Sequence, residues 1–183
     1  MKIKTDRLIL RRFRADDATV FATLNADPLV MRYFPAVLTR EQSDDFLTRI
    51  LTYYDTHPDG WFAVEADGEF IGFSGIVEIG YDAPFTPATE IGWRLIPSAW
   101  GKGYATEAAR ACLQYGFDIV GLDEIVAMTT HQNTPSQRVM QRLHMTRDPA
   151  DDFDHPRLDP DSHLLRHVLY RLTREQWLAS AAL

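Results

Sequence analysis

Cysteine is nearly absent: the 183-residue chain has one, Cys112. A lone thiol makes neither an internal disulfide nor a multi-cysteine metal site, and the simplest expectation is a reducing, cytoplasmic setting. Positive charge is also scarce. With 19 Lys and Arg against 26 Asp and Glu, the formal net charge is -7, and no basic run forms a stripe. A nucleic-acid backbone is therefore not the expected partner, and the sign fits a cationic small molecule or basic peptide better. Long hydrophobic runs are missing too. "MKIKTDRLIL" is broken at once by "RRFR", so it reads as neither signal peptide nor anchor, and no stretch approaches a membrane span.

What remains is ordinary globular material, 45% hydrophobic and 25% charged, at a length that suits one sizeable core. Residues 1–183 are expected to form a single domain, with monomer and homodimer both open. Leu8 to Leu10 read as a short strand that continues with Arg11 and Phe13 on one side. "ADDATVFATLNAD" then turns helical, with Asp16 as the expected N-cap and Ala18, Phe21, Ala22 and Leu24 near one face. Thr39 and Gln42 stand at capping-box spacing before a second helix with the stripe Phe46, Leu47, Ile50, Leu51 and Tyr54.

From Trp61 the period changes to two. "WFAVEADGEFIGFSGIVEI" reads as two strands joined at Asp67-Gly68, a strong hairpin signal. "ATEIGWRLI" is a further strand, and Gly92 inside it implies a bulge or a close approach by another group. Ala105, Ala108, Ala109, Cys112, Leu113 and Phe117 recur at helical spacing. "DEIVAMTT" makes another strand, "TPSQRVMQRL" a helix with Pro135 in its first turn, and "HVLYRL" a late strand. The Asp- and Pro-rich "RDPADDFDHPRLDPDSHLL" is an ordered loop or flap, and Thr173 with Gln176 repeats the capping spacing before a short last helix. This order predicts a mixed α/β sheet, antiparallel in its front half, with at least one parallel crossover pair.

The chemistry concentrates in Gly101-Lys102-Gly103, set between a strand and a helix. A nucleotide phosphate loop needs glycine where Ile96 stands and a hydroxyl where Gly103 stands. A dinucleotide fingerprint needs Gly or Ala where Thr106 stands, in a βαβ unit early in the chain. The third reading is a pyrophosphate cradle, in which glycines let backbone N–H groups and the helix dipole face an anion, and the three residues alone fit equally a glycine turn that merely joins a strand to a helix.

"EIGWRLIPSAWGKGYATEA" closely resembles the signature of the GNAT superfamily of acyl-CoA-dependent N-acyltransferases, Gly101, Gly103 and Ala105 matching the end of its Q/R-x-x-G-x-G/A motif. "NTPSQRVMQRLHM" resembles the family's second signature. The opening from Thr5 to Arg11 is most similar to the branch of ribosomal-protein N-terminal acetyltransferases, and the likeness runs to "HVLYRL".

The resemblance implies one α/β domain, mostly antiparallel, whose strand with Gly92 and strand from Ile125 to Thr130 run parallel and splay apart. It implies acetyl-CoA as cosubstrate, an amine acceptor, and no metal. Its diphosphate would lie on Gly101, Lys102, Gly103, Tyr104 and Ala105, its pantetheine amides along Trp93, Arg94 and Leu95, and Asn133 would hold the arm. Lys102 is either a phosphate partner or a solvated surface lysine.

An alkyl ammonium titrates near about 10 and an α-amino group near about 8, so a base must take a proton before attack. Glu90 is the first candidate and Glu78 the second, each alternatively a carboxylate at a strand end. Met140 stands where many relatives carry a leaving-group tyrosine, so that role is vacant or has moved, and the resemblance to this branch implies Ser136 as the candidate acid, or else only a helix cap. The competing class is an acyl-CoA-binding module without turnover. Trp61, Trp93 and Trp100 either line an acceptor cleft or simply pack, and His155, His163 and His167 lack an apt metal-ligand pattern.

Overall fold

Asp67 and Gly68 take positive φ values of 53° and 83°, the mirror-image turn that matches the twist of paired strands. They join β3 (Gly60–Ala66) to β4 (Glu69–Glu78), which pair antiparallel as the sequence predicts. The computed structural model describes residues 2–57 and 59–181. Upstream lie β1 (Lys2–Lys4), β2 (Leu8–Arg12), α1 (Ala18–Ala26) and α2 (Arg40–Tyr53). Downstream come β5 (Thr89–Leu95), α3 (Tyr104–Tyr115), β6 (Glu124–Thr130), α4 (Thr134–Arg142), β7 (Phe153–Asp154), β8 (Arg166–Thr173) and α5 (Arg174–Ala181).

The eight strands form one mixed sheet in the order β1-β2-β3-β4-β5-β6-β8-β7. Neighbours are antiparallel except β5 and β6, which meet in parallel through the single pair Glu90 and Val126 and then diverge. A gap therefore opens in the middle of the sheet. β6 stays paired along its whole length with β8, which holds the far wall rigid.

Each face of the sheet buries its own core. Leu8, Leu10, Phe62, Ile76 and Ile91 pack with the α3 stripe of Ala108, Ala109, Cys112 and Leu113, and Phe117 extends that stripe into a π-helical turn at Gly116–Val120. On the opposite face Phe13, Ala63 and Phe73 pack with Phe21, Leu24, Leu47 and Ile50 of α1 and α2. Thr39 caps α2 as expected, its side chain accepting from the Gln42 N–H while Gln42 returns to the Thr39 N–H at 2.9 Å. Thr173 and Gln176 exchange the same pair of bonds before α5.

Three local readings change. α1 starts at Ala18 after a 3-10 turn over Ala15–Asp17, and Asp17, not Asp16, is its structural acid. Asp17 takes that role because it accepts from Arg11 Nη1 at 2.8 Å, from Arg11 Nη2 at 2.7 Å and from the Arg14 N–H at 2.8 Å. Gly92 carries no bulge: a Cβ there would lie 2.9 Å from the Trp61 indole, so the close approach is by that ring. The Asp-rich segment is partly sheet, since its β7 residues pair with β8 at the edge. Among the described residues, no helix is long and apolar enough to cross a membrane.

Candidate active site

The divergence of β5 from β6 leaves a cleft of about 560 Å³ that runs from Glu90 along Trp93, Arg94 and Leu95 to the glycine loop. Gly101, Gly103, Tyr104 and Ala105 line its end, whereas Lys102 is not among the lining residues. Gly101 and Gly103 have φ of 74° and 81°, in the left-handed region. A Cβ at Gly101 would meet nothing within 4 Å, so glycine serves the backbone conformation and leaves an open front. Gly103 precedes α3 without any side-chain cap, which leaves the first N–H groups of that helix available to an anion.

The loop is braced from behind by the start of the chain. Thr5 Oγ1 donates to Glu107 Oε1 at 2.6 Å, the Arg7 N–H donates to the same oxygen at 3.0 Å, and Arg7 Nε donates to Glu107 Oε2 at 2.7 Å. Arg7 Nη1 also donates to the Lys102 carbonyl at 2.9 Å. Lys102 thus serves the loop through its backbone. Valine at position 103 would have to adopt a left-handed φ, at a cost of about 1–2 kcal/mol. Gly103→Val is expected to weaken CoA binding about tenfold or more, measured by titration calorimetry. Unchanged affinity would sink the assignment of this loop.

Asn133 and Ser136 share the far wall. Asn133 Oδ1 accepts from the Ser136 N–H at 3.2 Å, and Asn133 Nδ2 donates to Thr129 Oγ1 at 2.9 Å, which ties the start of α4 to β6. The cap is therefore Asn133, and Ser136 contributes its N–H to it while its side chain stands on the cleft. Met140, also on the cleft, is buried in the core below.

Glu90 stands where the strands part. Its own surface is half-open to the cleft, but protein encloses the rest, and that desolvation raises its pKa from an ordinary 4.5 to about 7, with Arg157 pulling the other way. Glu78 is exposed, and its pairing with Thr89 beside the Val77–Glu90 pair puts it on the opposite face from Glu90. The surroundings of Glu90 come from two loops that sequence patterns do not place. Tyr81 donates to Met128 Sδ at 2.9 Å and is pushed up to about 12 by burial, with a contribution from Glu90. Arg157, from the Asp-rich flap, lies 5.0 Å over the Tyr81 ring and donates to the Gly80 carbonyl. The flap thus brings Arg157 near the Glu90 end of the cleft.

Other candidates fall into place by contact. Cys112 is buried, and that burial pushes its thiol up to about 12, which suits a core residue. Trp61 packs edge-on against Phe73 and lines the cleft over Gly92, while Trp93 and Trp100 line it further along. The His155 and His167 rings lie 4.9 Å apart with their planes tilted by 50°, and burial holds His155 down to about 4, hence neutral. Among the described residues no group of three His, Cys, Asp or Glu could hold a metal ion. The sequence reading missed Arg138 and Arg142, which line this cleft from α4, and took Arg94 for its backbone alone, whereas its guanidinium lies over the Phe34 and Phe73 rings that also line the cleft.

A sheet that parts between two parallel strands, above an uncapped glycine-rich helix start, defines the class of acyl-CoA-dependent N-acyltransferases. The family model described as acetyltransferase (GNAT) domain matches residues 7–146, and the chain belongs to that family. It is accordingly an acetyltransferase of the group that uses acetyl-CoA. An uncharacterized N-acetyltransferase, YnaD, of Bacillus subtilis is 34% identical over 97% of this chain and 99% of its own. The FsC-acetyl coenzyme A-N(2)-transacetylase of Aspergillus fumigatus is 30% identical over 85% of this chain and 68% of its own. A GNAT-family acetyltransferase crystal structure from Bacillus anthracis superposes with a TM-score of 0.77 at 30% identity, covering 96% of this chain and 99% of that one.

Proposed function

We propose that the protein transfers acetyl directly from acetyl-CoA to a primary amine, with Glu90 as the base and no covalent enzyme intermediate. The observation that carries this reading is a carboxylate of pKa about 7 at the point where the cleft begins. In the step, the amine nitrogen forms a bond to the acyl carbon and the carbon–sulfur bond breaks. The proton leaves the amine for Glu90, directly or through water, and the sulfur departs as thiolate. A thiol pKa of about 8.5 makes that departure feasible with hydrogen-bond help alone, which Ser136 is placed on the cleft wall to give.

The backbone from Trp93 to Leu95 supports the reading in a second way. Beyond Glu90 this edge of β5 has no strand partner on the β6 side, so a pantetheine arm could be laid along it and pair with its backbone, although the Leu95 carbonyl already accepts from Trp100 Nε1. The glycine loop at the far end suits the diphosphate, and Asn133 stands beside the path between them. The acceptors in scope are protein N-termini, polyamines, aminoglycosides and small metabolite amines.

The test is CoA thiol release from acetyl-CoA with each of those amine classes and a no-acceptor control. One class is expected to stimulate release above the control. Tight acetyl-CoA binding with no stimulation by any amine would favour the binding module instead, a reading that the buried Met140 in place of a tyrosine keeps in view.

A further inference from the structure

Among the described residues, Arg94 is an enclosed cation without an acid to match it. Its Nη1 donates to Asn25 Oδ1 at 2.5 Å, and its Cζ lies 4.1 Å from the Phe34 ring centroid and 5.2 Å from that of Phe73. Its Nε is buried with no partner. Burial alone perturbs the group, lowering its pKa to about 10, and no carboxylate offsets that burial. The lack is not for want of acids in a chain of net charge -7. Arg7, Arg11, Arg147 and Arg171 all pair with carboxylates.

The guanidinium is also held deliberately in place. Asn25 and Ser43 are both buried, and Asn25 Nδ2 donates to Ser43 Oγ at 3.0 Å, which aims Oδ1 at Arg94. Aromatic faces offset part of the cost of an unpaired charge, but an enclosed cation stays costly unless an anion joins it. Phe34, which covers the group, is 40% exposed and sits on the segment between α1 and α2, at the mouth of the cleft.

Position along the strand says what kind of anion fits. Glu90, Gly92 and Arg94 alternate onto one face of β5, Arg94 opposite Phe73 and Gly92 opposite Gly75. Four residues of strand separate the Glu90 and Arg94 Cα atoms by about 13 Å. Between them Gly92 presents no side chain, and the Trp61 indole lies over it as an apolar floor. One face thus offers a base, an apolar stretch and a single cation in line.

We propose that the acceptor is an amine that carries a carboxylate, its amine at Glu90, its carbon chain over Trp61 and its carboxylate on Arg94. A planar guanidinium with one occupied nitrogen matches a carboxylate in geometry and in charge. Polyamines and aminoglycosides, which bring positive charge alone, would meet this cation with nothing to neutralise it. The inference rests on the acetyltransferase reading and narrows its acceptor class.

The experiment compares glycine, 4-aminobutyrate, 6-aminohexanoate and glycylglycine with their carboxamide counterparts, and with spermidine, by CoA release. Wild-type protein is expected to favour the carboxylated member of at least one pair by about tenfold or more in kcat/KM, as for a charge-assisted pair. Arg94→Gln should bring that ratio close to one, and Arg94→Lys should retain part of it. Equal rates for carboxylate and carboxamide in wild type would overturn the proposal. So would an Arg94→Gln variant that slows every acceptor by the same factor, or that raises the KM for acetyl-CoA alone. Calorimetric titration of the same pairs onto CoA-saturated protein separates the two levels. Carboxylate-selective binding that is lost in Arg94→Gln supports this inference even if no turnover occurs, whereas turnover without carboxylate selectivity supports only the transferase.

Discussion

Glu90→Gln is expected to slow acetyl transfer by about 10² to 10⁴-fold while leaving the affinity for acetyl-CoA within about twofold of wild type. Glutamine keeps the size of the side chain and removes its capacity to hold the amine's proton. In the wild type kcat/KM should rise with pH through about 7, as the Glu90 carboxyl loses its own proton and becomes competent as a base. The rise reflects the free enzyme, so it should be absent from the residual rate of the variant. A Glu90→Gln protein with wild-type turnover between pH 6 and 8 would remove Glu90 from the mechanism.

The same group has an effect on stability, with the opposite sign to the usual carboxylate. Its folded pKa of about 7 lies above the ordinary 4.5, so the folded state holds the proton more firmly than the unfolded chain does. That contribution is fully present below pH 4.5 and is lost as pH rises through about 7. At pH 8 the variant should therefore be more stable than wild type, by about 1–3 kcal/mol once the open side of the cleft is allowed for. Loss of rate with gain of stability is what a desolvated catalytic carboxylate predicts, and a desolvated carboxylate with no part in the reaction would show the gain of stability alone.

Arg11→Met should produce the largest loss of stability. Arg11 is 9% exposed and bridges Asp17, itself 6% exposed, to Glu65. Removing it leaves a buried carboxylate without its cation, at a cost of about 3–5 kcal/mol. For a chain of this size that corresponds to a fall of about 6–20 °C in Tm, read by circular dichroism. The Asp17 pKa is lowered by Arg11 and the Arg14 N–H against the opposing effect of burial, so its contribution is present above the ordinary carboxylate range and is lost as pH falls. The variant should accordingly lose most of its deficit relative to wild type in acid. A Tm within about 2 °C of wild type at neutral pH would show that the bridge contributes little.

How much of this was legible in the sequence depends on range. The hairpin at Asp67-Gly68, the capping boxes at Thr39 and Thr173 and the buried stripe of α3 are local patterns, and each appears where its spacing puts it. β1 and β7 were not visible, because three and two residues carry no usable period. Asp16 and Asp17 are equivalent as N-cap residue types, and only the position of Arg11 across the fold decides between them. The site divides in the same way. Its glycine loop and strand edge are contiguous and carried a recognisable signature. Its electrostatics are not: Arg157 reaches Gly80 across 77 residues, and Arg94 reaches Asn25 across 69. Chain pattern says little about contacts that distant, so the side chain of Arg94 and the neighbours of Glu90 emerged only with the fold.

The division of the interior into two clusters on opposite faces of the sheet has a consequence for divergence. The helix that begins at the glycine loop belongs to one cluster, and the helices and segment that carry Asn25, Phe34 and Phe46 belong to the other or lie against it. Substitutions in clusters with few shared partners combine nearly additively. On the proposed reading of the site, the wall assigned to the acceptor can therefore be rewritten, residue by residue, while the wall assigned to the cosubstrate keeps its packing, and a directed library confined to α1, α2 and the segment between them should yield altered amine preference far more often than lost CoA binding.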